Sequence, residues 1–166
     1  MRFRLIFGFL CGVTSVAGHD AAADVATMGL QLEDGETVLK IEAHDFPAKI
    51  HRPLFGGYMG AYQRTLTCRY LIENYPDIRE ELIDSYLNDE VVLKYAPRGL
   101  GGDCATTEGW TFANWWINPY TRVSPLAFTG ACTDITSTLF HEMIHRERLL
   151  ASEEQVTRIE KECLPE

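Results

Sequence analysis

The sequence contains no internal repeat, no low-complexity tract and no long linker. Those absences exclude solenoid and array architectures and, with only 166 residues, leave room for one domain with a modest core. No excess of basic residues is present either: 15 Lys and Arg stand against 24 Asp and Glu, a formal charge of -9. That balance argues against nucleic acid and anionic membrane as partners, and is equally the charge of a freely soluble surface. The longest apolar run, residues 5–16, is too short to span a bilayer, which takes about 20 residues. No two cysteines stand at C-x-x-C spacing, which argues against a cysteine metal cluster. What remains is an ordinary globular composition, 46% apolar and 23% charged.

The first residues read as a targeting segment. Arg2 and Arg4 open the chain, residues 5–16 are apolar except for Gly, Thr and Ser, and small residues follow at Val16-Ala17-Gly18 and Ala21-Ala22-Ala23. This is the layout of a secretory signal peptide. It predicts removal of residues 1–18, or 1–23 if the second small-residue cluster is used. A single domain over residues 24–166 then remains, secreted or periplasmic, with no membrane attachment. Cleavage after Gly18 removes two arginines and no acid, which takes the formal charge from -9 to -11. Cys11 leaves with the leader, while Cys68, Cys104, Cys132 and Cys163 stay. Four cysteines in an exported chain predict two disulfides, with all three pairings open.

Along the domain, residues 28–32 and 37–43 alternate around Glu33-Asp34-Gly35-Glu36 and predict a β-hairpin. Residues 51–60, with Pro53, Gly56, Gly57 and Gly60, read as a loop. Helices are predicted over 62–74 and 77–87, the second carrying Ile78, Leu82, Ile83 and Tyr86 at helical spacing after Pro76. Strands are predicted over 91–95 and 110–117, separated by a glycine-rich turn at 99–102. A loop through Pro125 and Gly130 precedes the last helices. The fold class expected is α+β.

Residues 134–150 form an uninterrupted helical pattern that starts at Asp134, a favourable N-cap. Ile135, Leu139, Met143 and Leu150 fall on one side, and Asp134, Ser137, Thr138, His141, His145 and Arg148 on the other. The apolar side is expected to enter the core, and the polar side to face solvent or a cleft. His141 and His145 are four apart, so their rings stack on one face within reach of one ion. Neutral imidazole is a good zinc ligand, and adjacent helical turns meet the bond length of about 2 Å. Glu142 is rotated off the pair, placed to take a proton from a zinc-bound water whose pKa falls to about 7. H-E-x-x-H thus supplies two ligands and a base from little more than one turn.

Through residues 137–145 the chain resembles the zincin metallopeptidases. The resemblance implies a small zincin-like domain: an antiparallel or mixed sheet, a backing helix near residues 77–88, the motif helix, and a short C-terminal helix. It implies one zinc ion per chain and a polypeptide substrate, paired to a sheet edge strand for which residues 110–118 are the candidate. The aromatic residues there serve equally well as core. The metzincin pattern is excluded, because Arg148 and Ala151 stand where it has glycine and a third histidine.

No histidine follows His145, so the third ligand expected is a carboxylate. Ser152 caps a final helix whose inward face is Val156, Ile159 and Cys163. Glu153 and Glu160 border that face and Glu154 points away. Glu153 is the chosen ligand, Glu160 the gluzincin-like alternative and Glu154 the third. Arg148 is a candidate for a substrate carboxylate or oxyanion, or else for an ion pair with a neighbouring acid, and Tyr95 and Tyr120 are candidate oxyanion donors. His19, His44 and His51 read as incidental. The expected activity is that of a secreted zinc metalloendopeptidase with Glu142 as base. Its rivals are a non-catalytic zinc-binding module and a metal-dependent hydrolase of cell-wall material. The oligomeric state is left open.

Overall fold

A computed structural model describes residues 25–31, 37–88, 91–108, 119–148 and 151–164. The leader at residues 1–18 or 1–23, the tight turn at 33–36 and the strand expected at 110–117, with the candidate edge strand at 110–118, lie outside the described residues.

The expected hairpin is present as β1 (Val25–Gln31) and β2 (Thr37–His44), paired antiparallel with a register shift between Gly29 and Leu30. Three helices follow: α1 (Ala48–Thr67), α2 (Arg69–Asn74) and α3 (Pro76–Asn88). Then come β3 (Val91–Tyr95), β4 (Ala105–Glu108) and β5 (Tyr120–Val123). The chain closes with a short 3-10 turn (Pro125–Phe128), α4 (Ile135–Glu147) and α5 (Glu153–Glu162). The sheet runs β1-β2-β3-β5-β4, parallel across β2/β3 and β3/β5 and antiparallel at both ends. The fold is α+β with a mixed sheet.

Alternation along the strands gives the sheet one buried face. Ile41 and Ala43 lie beside Val91 and Leu93. Leu93 adjoins Thr121, and Val123 adjoins Ala105. All seven are buried, and all but Thr121 belong to one core cluster with Leu54, Tyr58, Leu82, Phe140, Met143 and Ile159 from the helices.

Three expectations fail here. Residues 51–60 are helical, not loop, and form the middle of α1. Glycine at 57 and 60 marks close packing of one helix on another. A Cβ added at Gly57 would lie 2.8 Å from Ile135 Cγ2, and one at Gly60 would lie 2.8 Å from Thr136 Cγ2. Pro53 forgoes one intrahelical bond, on an exposed stretch. The predicted 62–74 helix is also two pieces, broken at Cys68, whose backbone is extended.

The outward face assigned to α4 is the third failure. Ser137 and Thr138 are buried, as are Glu142 and Arg146, because α4 packs against α1, α3, α5 and β4 together. Ser137 is satisfied in that setting: its hydroxyl accepts from Arg64 Nη1 at 2.8 Å and donates to Asp134 Oδ2 at 2.8 Å. A buried hydroxyl with both bonds made costs little.

The helix contact yields opposite outcomes at neighbouring glycines. Gly56 has nothing within 4 Å of an added Cβ, so Gly56→Ala raises stability by about 0.5–1 kcal/mol through helix propensity. Gly57→Leu forces Ile135 aside and lowers stability by about 1–3 kcal/mol. Urea denaturation of the oxidised protein checks both.

Candidate metal centre

The site is assembled on α4 from its N-terminus onward. Asp134 Oδ1 accepts from Ser137 N at 2.8 Å and starts the helix where the sequence places it. Burial pushes the Asp134 carboxyl up, but its bonds from Ser137 and the charge of Arg64 outweigh that and hold it below its usual value. Two turns on, the His141 and His145 rings lie with centroids 4.9 Å apart. Their side chains are largely buried, 18% and 17% exposed.

What covers them is α5. Ser152 Oγ accepts from Gln155 N at 3.3 Å and caps it, and Val156 and Ile159 are fully buried. Cys163 is disulfide-bonded to Cys68, 95 residues away, and Cys104 is bonded to Cys132. The first bridge ties the end of α5 to the α1–α2 junction.

So held, α5 presents two acids to the histidines. Glu153 Oε1 is 2.9 Å from His145 Nε2, and its Oε2 is 3.3 Å from His141 Nε2. One ligating atom from each of His141, His145 and Glu153 falls within 4.8 Å of the others. Glu160 also reaches the site, but at the other nitrogen: its Oε2 is 3.0 Å from His141 Nδ1. Glu154 is exposed and pairs with Arg158 at 3.5 Å. His145 Nε2 is shut off from solvent and has no hydrogen-bond partner among the described residues. The Glu153 oxygen is near enough for an ion pair but is not aligned to accept a bond from it.

Glu142 reaches the sheet. Thr107 of β4 donates to Glu142 Oε2 at 2.8 Å, and its hydroxyl lies 3.0 Å from that of Thr121. Burial raises the proton affinity of Glu142 above that of an ordinary carboxylate, against the opposing pull of Thr107 and of the two histidines. For His141, burial acts downward, and the hydrogen bond to Glu160 with the charges of Glu142, Glu160 and Glu153 outweighs it, leaving the ring raised.

The remaining candidates are engaged elsewhere. Arg148 Nη2 lies 2.9 and 2.8 Å from the two oxygens of Glu81, so it takes the ion-pair role and ties α4 to α3. The Tyr95 ring packs on Phe46, and the Tyr120 hydroxyl donates to Glu108. His44 pairs with Glu42, and His51 lies 2.9 Å from the Phe46 carbonyl oxygen. His19 falls outside the described residues. Thr107 was missed by sequence reasoning. Its strand, Ala-Thr-Thr-Glu, has only two β-branched residues as a signal and no apolar alternation. The described edge strand beside α4 is this β4.

No family model, no curated protein and no solved structure matches the chain.

Two stability measurements check how the site is held. Removing the long-range bridge with Cys68→Ser and Cys163→Ser together lowers unfolding stability by roughly 2–5 kcal/mol, read by denaturant titration. Asp134→Ala costs about 1 kcal/mol at neutral pH through the lost cap. Because the folded-state pKa of Asp134 is depressed, its contribution is complete above the unfolded value. It disappears as pH falls through the folded one, so parent and variant converge in acid.

Proposed function

We propose that this chain is a zinc-dependent peptide-bond hydrolase in which His141, His145 and Glu153 hold one metal ion and Glu142 is the base. The observation that carries the reading is the convergence of two imidazoles and one carboxylate within 4.8 Å, with a buried glutamate next in sequence to the first histidine. The donor set suits zinc, a borderline-soft ion that takes nitrogen and oxygen together. The buried Nε2 of His145, beside Glu153 but without an aligned hydrogen bond, supports the fit, since a buried polar atom without such a bond is costly. Among the described residues the cluster offers three protein donors, so a four-coordinate ion held there would take water as its remaining ligand. That arrangement favours a catalytic site over a closed, structural one.

Zinc, when bound, lowers the pKa of its water to about 7 and polarises a carbonyl. The rest falls to the chain. Glu142 accepts the proton of the attacking water and returns it to the leaving amine. Its burial favours proton uptake, and Thr107 fixes one of its oxygens. Glu153, 75% exposed, is the ligand on the solvent side, where a substrate arrives. The two disulfides suit an oxidising compartment, and no helix of the described residues is long and apolar enough to cross a membrane. With the leader-like start, these support a secreted or periplasmic location.

Metal analysis beside activity tests the proposal. The parent and Glu142→Ala each bind about one zinc per chain. Casein hydrolysis falls by at least about 10²-fold in the variant, and Glu153→Ala weakens zinc binding. Equal hydrolysis by parent and Glu142→Ala removes the mechanism. Zinc bound without hydrolysis makes the chain a binding module, and cleavage of cell-wall material alone moves the substrate class there.

A further inference from the structure

We infer that Glu160 is a positioning residue, which fixes His141 in the tautomer and ring orientation that present Nε2 to the metal. The inference rests on the zinc reading above. It starts from a division of one ring between two acids of one helix: Glu153 stands at His141 Nε2, 3.3 Å away, and Glu160 at Nδ1, 3.0 Å away. Residues 153 and 160 are seven apart, about two turns and some 10.5 Å along α5. They therefore lie on the same helix face, with the imidazole between them.

The two acids differ in setting. The Glu160 side chain is 16% exposed and that of Glu153 75%. An ionised carboxylate only accepts hydrogen bonds, so the Glu160 contact requires the proton on Nδ1. In a neutral ring that leaves the lone pair on Nε2, the nitrogen on the His145 and Glu153 side. Glu160 thus acts through His141 and not as a ligand itself. Metal-bound histidines commonly carry such a carboxylate partner, whose loss costs about 10–100-fold in metal affinity. The described polar contact of His145 lies at Nε2, with Glu153, so the device serves His141.

Ring nitrogen-15 NMR of the metal-free protein at a pH where His141 is neutral, together with zinc titration against a competing chelator, tests the inference. The parent holds His141 as the Nδ1–H tautomer, and Glu160→Ala shifts it toward Nε2–H. Zinc affinity falls about 10–100-fold in Glu160→Ala. It falls less in Glu160→Gln, whose amide oxygen still accepts from Nδ1 and which keeps the test open if the alanine variant does not fold. An Nε2–H tautomer in the parent overturns the inference. So does a dissociation constant for the alanine variant within twofold of the parent or, if only the glutamine variant folds, a loss there as large as in Glu153→Ala. A loss in Glu160→Ala as large as in Glu153→Ala, with the tautomer unchanged, makes Glu160 a ligand and also overturns it. A parent that binds no zinc is a separate result, because it removes the metal reading itself.

Discussion

The site depends on α5 folding back over the histidine stripe of α4. Two imidazoles on one helix need donors beyond themselves, and Glu142 is already bonded to Thr107. The acids must arrive from another element. Val156 and Ile159 bring them by burying completely, each worth about 1.5–3 kcal/mol of transfer free energy. The bond from Cys163 to Cys68 then closes the far end of the helix onto α1 and α2. Charge works in the same direction: placing Glu153 and Glu160 together is unfavourable alone, and the intervening imidazoles relieve it.

The opposing requirement is rigidity beneath the histidines. Helix α4 is gripped by α1 through glycine contacts at Gly57 and Gly60, by α3 through Arg148 and Glu81, and by β4 through Thr107. Few degrees of freedom are left to the stretch that carries His141 and His145. A histidine pair on a helix fixed from three directions keeps its spacing when the exposed Glu153 moves. The arrangement is therefore spatial, with the sheet side holding Glu142, the α5 side bringing Glu153 and Glu160 to the histidines, and the core between them setting the distance.

Much of α4 and α5 was legible because their signals are local. The Asp134 cap, the four-residue spacing of the histidines, the Ser152 cap and the inward face of Val156, Ile159 and Cys163 each depend on residues within one or two turns. The hairpin and the strand at 91–95 were legible for the same reason. Where neighbours far along the chain decide, the pattern misled. Pro53 and three glycines look like a loop until α4 is packed on Gly57 and Gly60. Ser137 and Thr138 look like solvent-facing residues until Arg64 and the rest of α1 cover them. Strands β4 and β5 are four residues each, too short to show a period.

By itself the sequence determined the kind of chemistry on offer: two imidazoles, an adjacent carboxylate and a following helix with acids at its inward border, all written in helical periodicity. Tertiary structure alone decided which cysteines pair, which strand reaches Glu142, and which nitrogen of His141 meets Glu153 and which meets Glu160. Periodicity gives a residue its angle about its own helix. The distance between atoms on two helices is set by packing, and here by a covalent bond between positions 95 residues apart.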